Sequence, residues 1–378
     1  MSDCDLFSLA TKGVQALSAY QPGKPVDELE REYGVSNIIK LASNENPLGP
    51  SPTVVSAIKN ELQELARYPD GNGFALKSAL AEMHNVSIEQ VTLGNGSNDI
   101  LEILTRAFVT TDHEVVFSQH AFAVYPIVTQ AVGAKAIVVP AKNWGHDLEA
   151  MFLAITAKTR VVFIANPNNP TGTYLSESVL FDFIKKVPQH VLVVLDEAYF
   201  EFAYDQGSSE DSIAQKDYPS GMKWANQFPN LIVTRTFSKA YGLAGLRVGY
   251  SISHVQVADI LNRVRQPFNV NSLALLAAEK ALSDTDYLSK GIELNAQGMK
   301  LLTSAFETMK LTYIPSVGNF VCVNVGIDAM KVYDDLLHEG VIVRPIANYE
   351  MPEYLRVTVG TKEENIRFVE ALKQVLDK

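Results

Sequence analysis

Val161-Val162-Phe163-Ile164-Ala165-Asn166-Pro167-Asn168-Asn169-Pro170-Thr171-Gly172 is a run of five apolar residues that passes directly into three asparagines, two prolines and a glycine. An apolar run with no polar alternation must be covered on both faces, which is how a strand of a parallel sheet between two helix layers reads. The prolines and the glycine impose a rigid turn at the carboxyl end of that strand, where open α/β sheets bind their ligands. Taken alone, the same turn is equally an ordinary connector.

The same grammar repeats outward from this point. Val115 to Phe117, Ala136 to Val139, Val191 to Leu195 and Leu231 to Val233 are short apolar runs, each predicted to be a strand buried on both faces. Helix-period segments lie between them, at Ile100 to Phe108 and Ser176 to Val187, so the chain alternates as βα units do. Ser51-Pro52 predicts a helix start, with Val54, Val55, Ile58, Leu62 and Leu65 forming one apolar stripe that ends at Pro69. After about residue 270 the texture becomes helical, at Leu273 to Leu282 and Ile292 to Met309. Strand-like Phe320 to Val325, helical Met330 to Glu339, strand-like Val341 to Val343 and a helix from Glu363 follow. The expected division is a large domain over 45–270 and a small one built from 1–44 and 271–378.

With 378 residues the chain is long enough for about two to three domains or one large α/β unit. It is 47% hydrophobic and 20% charged, far from the composition of a disordered chain. Its 32 Lys+Arg against 43 Asp+Glu give a net charge of -11, which counts against a nucleic-acid partner. Two cysteines, Cys4 and Cys322, make no disulfide framework and fit a reducing cytoplasm. The acidic start Met1-Ser2-Asp3-Cys4-Asp5 has no secretory pattern, and no apolar window reaches the length of a membrane span. His84, His113, His120, His146, His190, His254 and His338 show no paired ligand spacing, so no metal is expected.

Three more segments carry chemistry. Val91-Thr92-Leu93-Gly94-Asn95-Gly96-Ser97-Asn98-Asp99 is a strand, a glycine turn and a helix start, an arrangement that aims free N–H groups and the positive helix end at one point. It departs from the dinucleotide-binding fingerprint, because Asp99 stands where a third glycine belongs. Val191 to Leu195 runs into Asp196-Glu197-Ala198-Tyr199, and a carboxylate at the end of a buried strand needs a cation or donors to stay ionised. Thr234-Arg235-Thr236-Phe237-Ser238-Lys239-Ala240-Tyr241-Gly242 holds a lysine just past another buried strand, a setting suited to Schiff-base chemistry, with Arg247 eight residues on. Each segment has a plain structural reading on its own.

In this order along the chain, the anion cup, the Asn-Pro turn, Asp-x-x-Tyr, Ser-Lys and Arg247 resemble the fold-type-I pyridoxal-phosphate aminotransferases. The resemblance implies an α/β fold: a mainly parallel sheet sandwiched by helices in a large domain, plus a smaller α/β domain. Four further segments, Lys40 to Pro52, Tyr20 to Pro25, Arg67 to Asp70 and Tyr354 to Gly360, are similar to the histidinol-phosphate branch of that family. This implies amino-group exchange between histidinol phosphate and 2-oxoglutarate or glutamate. Aromatic amino acid transamination and decarboxylation, as in threonine-phosphate decarboxylases, are alternatives on the same motif set. A non-enzymic protein on this scaffold would have no need of Lys239, Asp196, Asn169, Tyr199, Arg247 and Arg356 together.

Residue by residue, the resemblance implies that Lys239 holds the cofactor, pyridoxal 5'-phosphate, and moves the substrate proton, while Asp196 pairs with the pyridine nitrogen. Asn169 and Tyr199 would face the ring's phenolic oxygen, and Phe122 would stack on the ring. Ser97, Asn98, Thr236, Ser238 and Arg247 would hold the phosphate, joined by Tyr68 from the other subunit of a homodimer. Tyr20, Asn169, Arg344 and Arg356 would bind substrate.

Overall fold

The computed structural model describes residues 5–20, 23–204, 215–326 and 328–377, so Cys4 and the pair Gln21-Pro22 lie outside the described residues. Thirteen strands are described: β1 (Ile39–Lys40), β2 (Val91–Gly94), β3 (Glu114–Ser118), β4 (Lys135–Val139), β5 (Thr159–Ala165), β6 (Leu192–Asp196), β7 (Leu231–Thr236), β8 (Gly249–Ser253), β9 (Tyr313–Ile314), β10 (Phe320–Asn324), β11 (Val341–Ile342), β12 (Arg344–Pro345) and β13 (Tyr354–Thr358).

Seven of them form one sheet in the order β2-β8-β7-β6-β5-β3-β4. Pairing is parallel from β7 through β6, β5 and β3 to β4, and only β8 runs against its neighbours. The central strands β5, β6 and β7 are buried almost throughout, with Val161 to Ile164, Val193 to Leu195 and Leu231 to Val233 at the bottom of the core. Each such side chain contributes roughly 1.5–3 kcal/mol by leaving water. Because the strands are parallel, the carboxyl ends of β5, β6 and β7 emerge along one edge, and this edge carries the chemistry. Among the described residues no helix is long and apolar enough to cross a membrane.

The smaller unit packs the antiparallel sheet β12-β13-β10-β9 and the parallel pair β1-β11 against the helices Thr285–Thr308, Ala329–His338 and Lys362–Leu376. Its core joins Leu41, Val321, Val323, Leu336, Val357 and Phe368.

Three expectations change. The run Ala136 to Val139 reads as a strand buried on both faces, yet within β4 Ala136 and Val138 are exposed, Val138 by 53%. It is the sheet's edge strand, where helix cover ends. The helix at Pro52 is capped by Ser51, whose Oγ accepts from the Val54 amide at 3.2 Å, but it stops at Glu61 and passes into a short 3-10 turn over Leu62–Glu64. Val54 is buried and Ile58 packs on the core, whereas Leu62 and Leu65 are exposed. Finally, helix Ser272–Ser283, grouped by its texture with the second unit, packs Ala274, Ala277, Ala278 and Ala281 into the core of the large sheet. Alanines on that face permit close helix contact, so the first unit extends past residue 270.

Candidate active site

The strand ends of the large sheet and one face of the small sheet enclose a single cleft. It is lined by Tyr20, Ser97, Asn98, Phe122, Asn169, Asp196, Tyr199, Thr236, Ser238, Lys239, Arg247, Arg344 and Arg356. Of the residues singled out in the sequence, Tyr68 alone lies apart. It is 83% exposed and stacks on Phe268 with ring centroids 4.8 Å apart.

At the floor, Asp196 closes β6. Its carboxylate accepts from the Tyr125 hydroxyl at 2.9 Å, from Thr234 Oγ1 at 3.1 Å and from the Ala198 backbone amide, with no cation bonded to it among the described residues. Burial pushes its pKa up to about 6 against the pull of those hydroxyls. The next residue, Glu197, faces the other way and meets Arg235, whose Nε and Nη2 donate at 2.9 and 2.7 Å while the Gly221 amide donates at 2.7 Å.

At one end, helix Ser97–Phe108 begins at Gly96, where φ is +86°. A Cβ on Gly96 would sit 2.5 Å from Arg247 Nη2, and a Cβ on Gly249 would sit 2.4 Å from the Ser97 amide nitrogen. Both positions therefore require glycine if the guanidinium and the helix N-terminus are to share one cup. Arg247 Nη1 reaches Ser238 Oγ at 3.3 Å, and Thr236 Oγ1 accepts from the Ser238 amide at 3.1 Å.

Lys239 lies between. Its Nζ donates to the Ser43 carbonyl at 2.9 Å and sits 5.7 Å from the centre of the Tyr199 ring. Burial holds its pKa down to about 7, and the nearby Arg356 acts in the same direction. The Tyr199 hydroxyl oxygen accepts from Asn44 Nδ2 at 2.9 Å and Asn169 Nδ2 at 3.1 Å, and burial pushes its pKa up to about 12.

The opposite wall comes from the small sheet. β12 and β13 are antiparallel with Arg344 directly across from Arg356, so the two side chains share a face. Arg356 Nη1 donates to Asn169 Oδ1 at 2.6 Å and Nη2 to the Ala42 carbonyl at 2.8 Å, while its buried Nε has no partner. Arg344 lies over Tyr20, 5.7 Å from the ring centre.

A lysine, a carboxylate and an anion cup at parallel strand ends are the parts of a covalent cofactor site, and the comparisons agree. The family described as aminotransferase class I and II matches residues 36–372. This chain belongs to the class I and II aminotransferases. It is 58% identical over 375 residues to histidinol-phosphate aminotransferase 1 of Idiomarina loihiensis, covering 99% of this chain and 100% of that protein. Identity to histidinol-phosphate aminotransferase 2 of Pseudomonas fluorescens strain Pf-5 is 61% over 374 residues, 98% of each chain. The fold superposes on the crystal structure of histidinol-phosphate aminotransferase from Sinorhizobium meliloti in complex with pyridoxal-5'-phosphate. The TM-score is 0.85 at 28% identity, and 99% of each chain is covered.

Several members of this aminotransferase site escaped sequence reading: Ala42, Ser43, Asn44, Tyr125, Thr234 and Tyr349. Tyr125 reads as one more apolar position in helix Val124–Ala131. Asn44 falls within the segment Lys40 to Pro52 that carries the family resemblance, yet no local pattern sets it apart from a turn former.

Proposed function

We propose that this aminotransferase exchanges an amino group between histidinol phosphate and 2-oxoglutarate, using pyridoxal 5'-phosphate, as a cytoplasmic homodimer. The observation that carries the substrate assignment is the cross-strand pair Arg344 and Arg356, with an unpartnered Nε on the latter. A phosphate carries close to two charges and can engage both guanidinium forks, whereas a carboxylate is served by one. Tyr20 beside Arg344 supplies a flat surface for an imidazole.

The residues fit the cofactor. The cup between Gly96, Ser97 and Arg247 has the shape and charge for a phosphate, with Ser238 and Thr236 adding hydroxyls and Asn98 at the first turn. Asp196, buried with two hydroxyls and the Ala198 backbone amide as its partners, suits a protonated ring nitrogen. Phe122 lines the cleft where a ring face would lie. When bound, pyridoxal phosphate supplies an electrophilic carbon and an electron-withdrawing ring.

The chain's own groups do the rest. Lys239 Nζ, its pKa held down to about 7 by burial, is in part unprotonated at neutral pH; it would hold the cofactor covalently and, once freed, take and return the α-carbon proton. Asp196 would hold a proton on a heterocycle nitrogen placed beside it. Asn169 spans the two walls, with its carbonyl on Arg356 and its amide on Tyr199, so that anion binding and orientation at the reacting carbon share one side chain.

The test is kcat/KM for histidinol phosphate and for phenylalanine, with 2-oxoglutarate as acceptor, on wild type and Arg344→Ala. Histidinol phosphate should be preferred and should lose roughly tenfold or more in the variant, with phenylalanine losing less. Preference for phenylalanine, or equal losses, would favour an aromatic aminotransferase.

The dimer reading draws support from Leu62, Leu65, Tyr68, Phe74 and Phe268, all exposed and apolar. Mixing Tyr68→Phe with Lys239→Ala chains should restore part of the activity through hybrids with one intact site. Sedimentation of an active monomer would remove this reading.

A further inference from the structure

The Tyr199 hydroxyl is enclosed by two amides of matching orientation. Asn169 Oδ1 accepts from Arg356 Nη1 at 2.6 Å, which turns its Nδ2 toward Tyr199 at 3.1 Å. Asn44 Oδ1 accepts from Thr358 Oγ1 at 3.2 Å, which turns its Nδ2 toward the same oxygen at 2.9 Å. Arg356 and Thr358 are two residues apart on β13 and point to the same side of the sheet. The Asn44 amide nitrogen also donates to Thr358 Oγ1 at 2.9 Å, and Asn319 Nδ2 donates to the Asn44 carbonyl at 3.0 Å. Asn44 is 1% exposed with φ +55°, a backbone conformation that asparagine and glycine accept.

A phenol oxygen has two acceptor sites and one proton. With amide N–H groups on both acceptor sites, the proton can go only into the cleft. Each donated bond also polarises the O–H and strengthens it as a donor. We propose that Asn44 is a positioning residue that, together with Asn169, compels Tyr199 to give its proton into the cleft, and that through Thr358 it ties this orientation to the strand bearing Arg356.

Neighbouring contacts support a shared hub. The three successive residues Ala42, Ser43 and Asn44 hold Arg356, Lys239 and Tyr199 in turn, the first two through carbonyl oxygens and the third through a side chain. The charged and titratable groups facing Tyr199 are Arg356, Asp196, Lys239 and Tyr349. None of them accepts its proton directly in the described hydrogen bonds.

The inference rests on the cleft binding pyridoxal phosphate at Lys239. A hydroxyl that donates to the cofactor's phenolic oxygen stabilises negative charge there and lowers the proton affinity of the conjugated nitrogen. The readout is therefore the midpoint of the pH titration of the visible absorbance of the holoenzyme. Asn44→Gly keeps the left-handed backbone and should raise that midpoint by roughly half a pH unit, the size one neutral hydrogen bond supplies. Thr358→Val, which frees the Asn44 amide to turn, should shift it in the same direction by less. In a Tyr199→Phe background the Asn44→Gly shift should vanish, because the two act through one bond.

An unmoved midpoint in Asn44→Gly, or a shift of equal size in the Tyr199→Phe background, would overturn the role of Asn44 while leaving the cofactor reading intact. A wild-type protein that develops no such absorbance, or whose borohydride-reduced cofactor sits on a lysine other than Lys239, would overturn both.

Discussion

Asp196 closes β6 and Glu197 follows it; the two lie at 4% and 0% exposure and turn to opposite sides. Glu197 meets a guanidinium through two hydrogen bonds and a backbone amide through a third, and Arg235 is itself covered by the Phe200 ring, 3.3 Å from its centre. Asp196 meets two hydroxyls and the Ala198 backbone amide and, among the described residues, no cation. A buried charge that is neutralised inside the fold belongs to the scaffold, whereas one left with neutral donors awaits a cation from outside. The protein thus separates holding and receiving by turning consecutive carboxylates to opposite sides.

The harshest way to break this contrast is to strip Glu197 of its partner. Arg235→Met should cost about 3–5 kcal/mol of stability, since it leaves a buried carboxylate alone. Denaturant unfolding of the cofactor-free protein measures it, and a loss under about 1 kcal/mol would place Glu197 with the dispensable charges.

On the other face the expectation reverses. Asp196→Ala should lower turnover of the cofactor-loaded enzyme by roughly a hundredfold to a thousandfold, the usual effect of removing one preorganised electrostatic group. The stability of the cofactor-free protein should hold or rise. An unfolded variant, or one with normal α-proton abstraction in single-turnover kinetics, would erase the distinction.

The subtlest test is pH. The Asp196 carboxyl moves from 3.8 to about 6 on folding without cofactor, so between those values the folded chain holds a proton that the unfolded chain has released. Stability of the cofactor-free protein should therefore fall as pH rises from about 4 to 6, by up to about 3 kcal/mol, and stay lower above that. Comparing wild type with Asp196→Asn isolates the effect, and saturating pyridoxal phosphate should abolish it by supplying the missing cation.

Legibility in the sequence followed the range of the interactions. Lys239, Asp196, Asn169 and Ser97 stand at strand ends beside glycines, prolines and hydroxyls, so local chemistry announced them. Tyr125 and Asn44 act across 71 and 155 residues of chain, on Asp196 and Tyr199, and nothing local distinguishes them from a core aromatic and a turn former. The misread strand Lys135–Val139 has the same cause. Apolar patterning reports that a segment is a strand, while its place at the edge of the sheet depends on which neighbours arrive. Likewise the alanine face of Ser272–Ser283 marks close packing without naming the partner.

Helix Thr285–Thr308 has 24 residues, a stiff rod of roughly 36 Å. One end bears on the large unit, where Tyr287 donates to the Leu48 carbonyl at 2.8 Å and a Cβ on Gly291 would come within 3.2 Å of Asn46 Nδ2. The other end is built into the small core through Met299, Leu302 and Phe306, and a Cβ on Gly298 would lie 2.4 Å from Val359 Cγ1. The two glycines let one rod seat closely on both units, so that a methyl group at Gly298 would press on Val359, the residue that follows the strand bearing Arg356.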